Sequence, residues 1–223
     1  TLLKFKSNFS KPPFWESLGL QKQNYMHNKV AIDEIIKIAI EAGKATLEVY
    51  EQDFDVIQKA DLFASVAHAA IGQKRKYSGV DYIVHPRRVS KMVADYEGTE
   101  EMIAAALLHD VLEDTYVTSE MIAEEFGWKI HKLVVELTDV SKPEDGNRAK
   151  RKAIDAERLS QASREAQIVK LADLIDNSDD IEANDPSFAK VFLKEKAHLI
   201  NVMDKVHLHP LYPIALGVVN GGK

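Results

Sequence analysis

Four chemically active side chains lie within six positions of the apolar segment AALLHDVLEDT, residues 105–115: His109, Asp110, Glu113 and Asp114. On a helix, residues four apart share a face, so His109 would stack on Glu113 and Asp110 on Asp114. Carboxylates this close raise one another's pKa unless a cation or protons compensate. An imidazole nitrogen with carboxylate oxygens suits Zn, Mn or Fe(II). The segment is therefore either a divalent-metal site or a helix end whose charged side chains face solvent.

Two other segments contain residue types that bear on this choice. KLADLIDN, residues 170–177, places Lys170, Asp173 and Asn177 on one stripe of an apolar helix. An aspartate there is costly unless it binds a metal or makes a buried hydrogen bond between helices. In YIVHPRR, His85 precedes a proline, which favours an extended backbone at a helix entrance. Taken alone, such a histidine is more often structural or exposed than a ligand.

The elements that must position these side chains are helices. Apolar residues recur at helical spacing along most of the chain, and no alternating strand of useful length is visible. We therefore predict an all-α bundle of about eight helices. Thr99, Thr118 and Asp185 are predicted N-caps, and Pro86 suits a first helical position. Gly127 is predicted to end the helix that Thr118 begins.

Composition limits the class of protein. The chain has 223 residues, 45% of them hydrophobic and 29% charged, which is typical of a soluble globular protein. A net charge of −6 disfavours a nucleic-acid partner. The absence of cysteine excludes disulfides and thiolate metal sites. Without an apolar run of about 20 residues or a signal-peptide core, a cytoplasmic protein that does not span a membrane is expected.

The chain resembles the HD phosphohydrolase superfamily in the order of its candidate ligands: His85, then His109 and Asp110, then Asp173. SGVDYIVHPRRV, AALLHDVLEDT and VKLADLIDN together resemble the hydrolase half of RelA/SpoT-type proteins, in particular the small alarmone hydrolases that lack a synthetase. The resemblance covers roughly residues 62–205. It implies an all-α, metal-dependent enzyme that uses Mn²⁺, with Fe²⁺ or Zn²⁺ as alternatives. The implied reaction removes the 3′-pyrophosphate from (p)ppGpp through attack by a metal-activated water.

The resemblance assigns roles to individual residues. It implies four metal ligands, His85, His109, Asp110 and Asp173, and a catalytic pair, Glu113 and Asp114, without deciding which acid is the base. The implied substrate-binding residues are Arg75, Lys76, Ser78, Asn177, Arg148 and Arg151. For the basic residues in this set, ordinary surface charge is the alternative interpretation.

The chain departs from the family motif KLADRLHNMRT at several positions. Leu174 replaces an arginine, Asp176 a histidine, and Asp179 and Asp180 an Arg-Thr pair. Added negative charge beside a polyphosphate site is expected to weaken binding of a highly charged nucleotide. Two alternatives therefore stay open: an HD phosphohydrolase for another nucleotide or a phosphorylated cofactor, and a nucleotide-sensing HD module without turnover. The second alternative predicts loss of Glu113 or Asp114, and both are present.

The ends of the chain are predicted to lie outside the hydrolase domain. The segment IDEIIKIAIEAGKATLEVYEQDFDVIQKAD resembles the first helix of the inositol-monophosphatase superfamily, closest to 3′-phosphoadenosine phosphate phosphatases. Because the metal motif of that family is missing, residues 1–60 are interpreted as a non-catalytic arm and helix for packing or for a homodimer. Residues 61–205 are assigned to the HD hydrolase domain and 206–223 to a C-terminal tail without a role.

Overall fold

The computed structural model describes residues 55–221, which belong to one compact unit, Phe54–Lys223. Within 55–221 the all-α class is confirmed: there are eight helices of nine residues or more and one single-turn helix, and no strand. The helices are α1 (Val56–Ala70), α2 (Val84–Asp95), α3 (Glu100–Leu108), α4 (Val111–Asp114), α5 (Ser119–Leu137), α6 (Arg148–Gln161), α7 (Arg164–Asn184), α8 (Pro186–Val202) and α9 (Leu211–Val219). Most of the arm and helix expected at residues 1–60 lies outside the described residues.

Helix α7 is the central element of the bundle. It packs against α2, α3, α5, α8 and α9. Its buried residues follow one another almost without interruption from Ala166 to Ile175. A helix that is apolar all round is buried all round, so α7 is the axis around which the others pack. Asp173 lies in the middle of this buried stretch. No helix of the described range has the length and apolar character needed to cross a bilayer.

The predicted helix starts are confirmed at three caps. Thr99 and Thr118 accept hydrogen bonds from the backbone N–H groups of Met102 and Met121, and Asp185 caps α8 in the same way. These bonds satisfy N–H groups that have no partner within the helix. Gly127 interrupts α5 with φ +74° and ψ 171°, a conformation that L-residues rarely adopt.

Two local expectations are wrong. Residues 105–115 are not one helix: α3 ends at Leu108 and α4 begins at Val111. The imidazole of His109 donates to the carbonyl of Ala106, one of the last carbonyls of α3, and so caps the helix at this point. His85 is not extended, because α2 begins at Val84, one residue before it. Pro86, expected at the first helical position, is the third residue of α2, still within the first turn, where no backbone N–H is needed.

The segment beyond residue 205 packs with the rest of the unit. Helix α9 lies against α7 and α8. Val206, Leu211, Ala215 and Val219 belong to the main hydrophobic core. At the other end, α1 runs across the boundary expected at residue 60. The compact unit is therefore longer at both ends than the domain assigned from the sequence.

Candidate metal centre and adjoining pocket

Three different parts of the bundle bring the four expected metal ligands together. His85 comes from the first turn of α2, His109 and Asp110 from the turn between α3 and α4, and Asp173 from the middle of α7. One atom each of His85, His109 and Asp173 lies within 4.8 Å of the others. The Oδ2 atom of Asp110 is 3.0 Å from Nε2 of His109 and 3.7 Å from Nε2 of His85.

The two imidazoles turn the same nitrogen toward the centre. Nδ1 of His109 is 2.7 Å from the carbonyl oxygen of Ala106, which requires a proton on Nδ1. Nδ1 of His85 is 2.7 Å from a carboxylate oxygen of Asp176, with the same consequence. Each neutral ring then presents an unprotonated Nε2 to the carboxylates of Asp110 and Asp173.

The donor set fits a divalent cation. Nε2 of His109 is buried and has no hydrogen-bond partner among residues 55–221. A buried polar atom without a partner is costly, and coordination of a metal would satisfy it. Two imidazole nitrogens and two carboxylate oxygens suit Mn²⁺, Fe²⁺ and Zn²⁺.

Electrostatics at this point favour positive charge. Burial lowers the pKa of His109, but the carboxylates of Asp110 and Asp173 outweigh it and hold that pKa well above its usual value. Burial raises the pKa of Asp173, but Lys170 and the imidazoles outweigh it and hold that pKa well below its usual range. The cluster thus attracts either protons on its imidazoles or a metal cation.

Neighbouring side chains fix the two carboxylates. The ammonium group of Lys170 lies 2.9 Å from Asp173, and the amide of Asn177 donates to the same carboxylate at 2.6 Å. The hydroxyl of Tyr82 donates to Asp110 at 2.6 Å. Such partners orient ligands for a metal.

Glu113 and Asp114 lie on α4, directly after the ligand turn. Oε1 of Glu113 accepts the backbone N–H of Asp139 at 2.7 Å. Loss of hydration and the nearby carboxylates of Asp139 and Asp110 raise the pKa of Glu113 to about 7, against the opposing effect of Lys170. Because the residue is exposed to solvent in the pocket, solvent moderates this shift.

Asp114 has a different set of partners. Its carboxylate accepts a hydrogen bond from the amide of Gln73 at 2.8 Å. The amide oxygen of Gln73 in turn accepts a hydrogen bond from Nδ1 of the buried His68, at 2.7 Å. The loop after α1 therefore restrains Asp114, although His68 and Gln73 were not identified from the sequence as site residues.

A pocket of about 370 Å³ opens beside Glu113. Its other lining residues are Asp139, Ser141, Arg148, Arg151 and Lys152. A second cavity of about 510 Å³ shares part of this lining and extends between α6 and α8. Its lining also includes Phe192 and Lys196, and burial lowers the pKa of Lys196 to about 8. Cationic and apolar walls together can accept a ligand with phosphate groups and a less polar body.

The family of the chain follows from a match to the HD domain model over residues 60–199. The chain belongs to the HD domain family. A guanosine-3′,5′-bis(diphosphate) 3′-pyrophosphohydrolase of Aquifex aeolicus is 42% identical over 96 residues, which are 43% of this chain and 13% of that protein. A probable enzyme of the same name from Mycoplasma pneumoniae is 30% identical over 189 residues, 75% of this chain and 26% of that protein.

A solved structure shows the same fold along most of the chain. It is a metazoan ortholog of SpoT, described as hydrolysing ppGpp, with a TM-score of 0.65 and 25% identity. The match covers 74% of this chain and 94% of that one. The chain spans about a quarter or less of the two bacterial relatives above.

The six residues expected to bind substrate lie in three different surroundings: two line the pocket, two are exposed, and two bond to carboxylates at the candidate site. Arg148 and Arg151 line the pocket beside Glu113. Lys76 and Ser78 are exposed. Arg75 is only 8% exposed and donates to Asn177 and Asp180, at 3.1 and 2.7 Å. Asn177 also donates to Asp173, so Arg75 and Asn177 connect to the candidate metal centre.

Two of the departures from the family motif do not place unpaired charge in the pocket. Asp176 was expected to weaken nucleotide binding, yet its side chain is 9% exposed, one oxygen accepts a hydrogen bond from His85, and the other lies 3.8 Å from the guanidinium of Arg88. Asp180 is paired with Arg75. A paired carboxylate repels a distant anion much less than an isolated one, so the expected repulsion is largely removed at these two positions. Asp179 remains exposed.

Proposed function

We propose that the chain is a divalent-metal-dependent (p)ppGpp 3′-pyrophosphohydrolase that uses Mn²⁺. The observation that most supports this is the convergence of His85, His109, Asp110 and Asp173 beside two further acids and a basic pocket. The reaction adds water to the phosphorus bonded to O3′ of the ribose, breaks that P–O bond, and releases pyrophosphate and GDP or GTP. We assign the four converging residues as the metal ligands.

The residues of the chain have separate tasks in this proposal. When bound, the cation supplies Lewis-acid chemistry by acidifying water and offsetting negative charge on a phosphate. Asp114, oriented by Gln73, accepts a proton from the attacking water. Glu113, whose raised pKa keeps part of it protonated near neutral pH, donates a proton to the departing O3′. Arg148, Arg151 and Lys152 line the pocket and hold the phosphates. Arg148 and Lys152 are paired with Glu195 and Asp139, and they exchange these carboxylates for phosphate oxygens when the nucleotide binds.

The nucleotide is proposed to bind along the loop after α1 as well. Lys76 and Ser78 are accessible there and are assigned to the base and ribose. The ammonium group of Lys76 lies 5.8 Å from the ring centre of Phe188, and Arg148 lies 5.4 Å from the same ring. Arg75 and Asn177 are assigned to hold Asp173 and the loop, because their polar groups are engaged with each other and with carboxylates.

A second candidate is an HD phosphohydrolase for another phosphorylated nucleotide or cofactor. The observation that favours it is the burial of Arg75 against Asp180, which removes a guanidinium from the surface where a purine would stack. This candidate keeps the metal centre and the acidic pair unchanged, and its ligand differs in the base or in the number of phosphates on O3′.

A substrate panel separates the two candidates. The Mn²⁺-loaded chain is incubated with ppGpp, with its adenosine counterpart and with a 3′-phosphorylated adenosine cofactor, and kcat/KM is measured for each. The first candidate predicts the highest value for ppGpp, with pyrophosphate and GDP in equal amounts. A preference for an adenosine compound, lost in His109→Ala, would favour the second candidate.

A further inference from the structure

Asp176 contacts a metal-site histidine from the side opposite the other ligands. It lies three residues after Asp173 on α7, and its Oδ2 atom is 2.7 Å from Nδ1 of His85. The imidazole of His85 is fully buried, and the Asp176 carboxylate is 9% exposed. Its second oxygen is 3.8 Å from the guanidinium of Arg88. The contact joins α2 to α7 across 91 residues of sequence.

We propose that Asp176 is a positioning residue for the metal centre, an inference that rests on the proposed metal ligation. By accepting the Nδ1 proton, the carboxylate fixes His85 in the tautomer that leaves Nε2 free, and it prevents the ring from turning over. A negatively charged acceptor also increases electron density on the ring, which strengthens Nε2 as a ligand. Asp176 thus has a role in the site although it departs from the family motif.

The other histidine offers a comparison within the same site. His109 donates its Nδ1 proton to a neutral acceptor, the carbonyl of Ala106. Only His85 therefore has a charged acceptor that a side-chain substitution can remove. The two histidines therefore differ in the charge of the group that accepts their Nδ1 proton, and a substitution of Asp176 tests the effect of that difference.

The test is the dissociation constant for Mn²⁺, measured by titration calorimetry on the full chain without nucleotide. Asp176→Ala removes the acceptor, and we expect binding to weaken about 10- to 100-fold. Asp176→Asn keeps the shape and one acceptor oxygen, and we expect a smaller loss. The matched control is Asp179→Asn, which removes one exposed carboxylate from the same helix and should leave the constant within about twofold of the wild type.

A second measurement reports the tautomer directly. In the Zn²⁺-loaded, ¹⁵N-labelled chain, the ring nitrogens of His85 should show a single form with the proton on Nδ1. Asp176→Ala should give a mixture of forms or a changed ring orientation, while the signals of His109 stay in place. A role of Asp176 in folding alone would lower the melting temperature of the metal-free protein without changing either readout.

The inference can fail separately from the proposed function. If Asp176→Ala and Asp176→Asn are both folded and bind Mn²⁺ within twofold of the wild type, Asp176 does not position His85. If the wild type binds Mn²⁺ but does not hydrolyse ppGpp, the substrate is wrong and the inference stands. If the wild type binds no Mn²⁺, Fe²⁺ or Zn²⁺, the inference is overturned together with the metal centre.

Discussion

Glu113 and Asp114 are neighbours in the sequence with different surroundings. Asp114 is held by a neutral amide, whereas Glu113 is crowded by Asp139 and Asp110 and has a pKa raised to about 7. Two carboxyl groups that differ in this way can divide the roles of base and acid between them. The family resemblance assigned both residues to the catalytic pair but could not divide the roles, because Asp139 and Gln73 are distant in sequence and meet the pair only after folding.

The raised pKa of Glu113 predicts how the kcat of the wild type changes with pH. A carboxyl group with a pKa raised toward 7 keeps its proton to higher pH than an ordinary glutamate and loses it as pH rises through that pKa, so the wild-type kcat should fall over that range. Glu113→Gln cannot donate the proton, and its kcat should be lower by about 100-fold or more at neutral pH.

The pH–rate profile of Glu113→Gln provides the check. Its residual activity should lack the fall above pH 7, and Glu124→Gln, an exposed substitution on α5, should keep the wild-type profile. An unchanged alkaline fall in Glu113→Gln would show that another group titrates there.

The helices show which features local sequence can predict. Caps such as Thr99 and Thr118 act on N–H groups within three residues, so residue type and spacing were sufficient to find them. The break at His109 depends on a side-chain bond to Ala106, which the apolar periodicity of the segment conceals. The pairing of Asp176 with His85 spans two helices, and neither segment contains a signal for it.

The interruption of α5 at residue 127 requires a glycine. Its φ of +74° with ψ near 180° is accessible almost only to glycine, and a Cβ would meet no atom of the described part of the chain within 4 Å. The cost of Gly127→Ala is therefore backbone strain alone, and the free energy of unfolding should fall by about 1–3 kcal/mol.

Chemical denaturation measures this effect. Glu124→Ala, an exposed change in the same helix, should alter the free energy of unfolding by less than about 0.5 kcal/mol. Equal stabilities of Gly127→Ala and Glu124→Ala would mean that residue 127 is not held at positive φ in solution.

In the compact unit as a whole, the proposed metal centre joins parts of the bundle that are distant in sequence. Helix α2, the turn between α3 and α4, and the central helix α7 each contribute to it. A cation bound there should stabilise the folded state, since the unfolded chain does not hold these residues together. At 100 times the dissociation constant, the gain is about 2.7 kcal/mol.

This predicts a melting temperature that depends on Mn²⁺ concentration. Adding Mn²⁺ to chelator-treated protein should raise the melting temperature by about 5–10 °C. His109→Ala, which removes one ligand, should respond much less. Equal responses of the wild type and His109→Ala would place the stabilising cation elsewhere.

The most direct test of the proposed function is turnover of ppGpp by the purified full chain with Mn²⁺. We predict GDP and pyrophosphate in equal amounts, and no product above background from His109→Ala. A wild-type chain that holds one Mn²⁺ per molecule and still releases neither product from ppGpp would contradict the account.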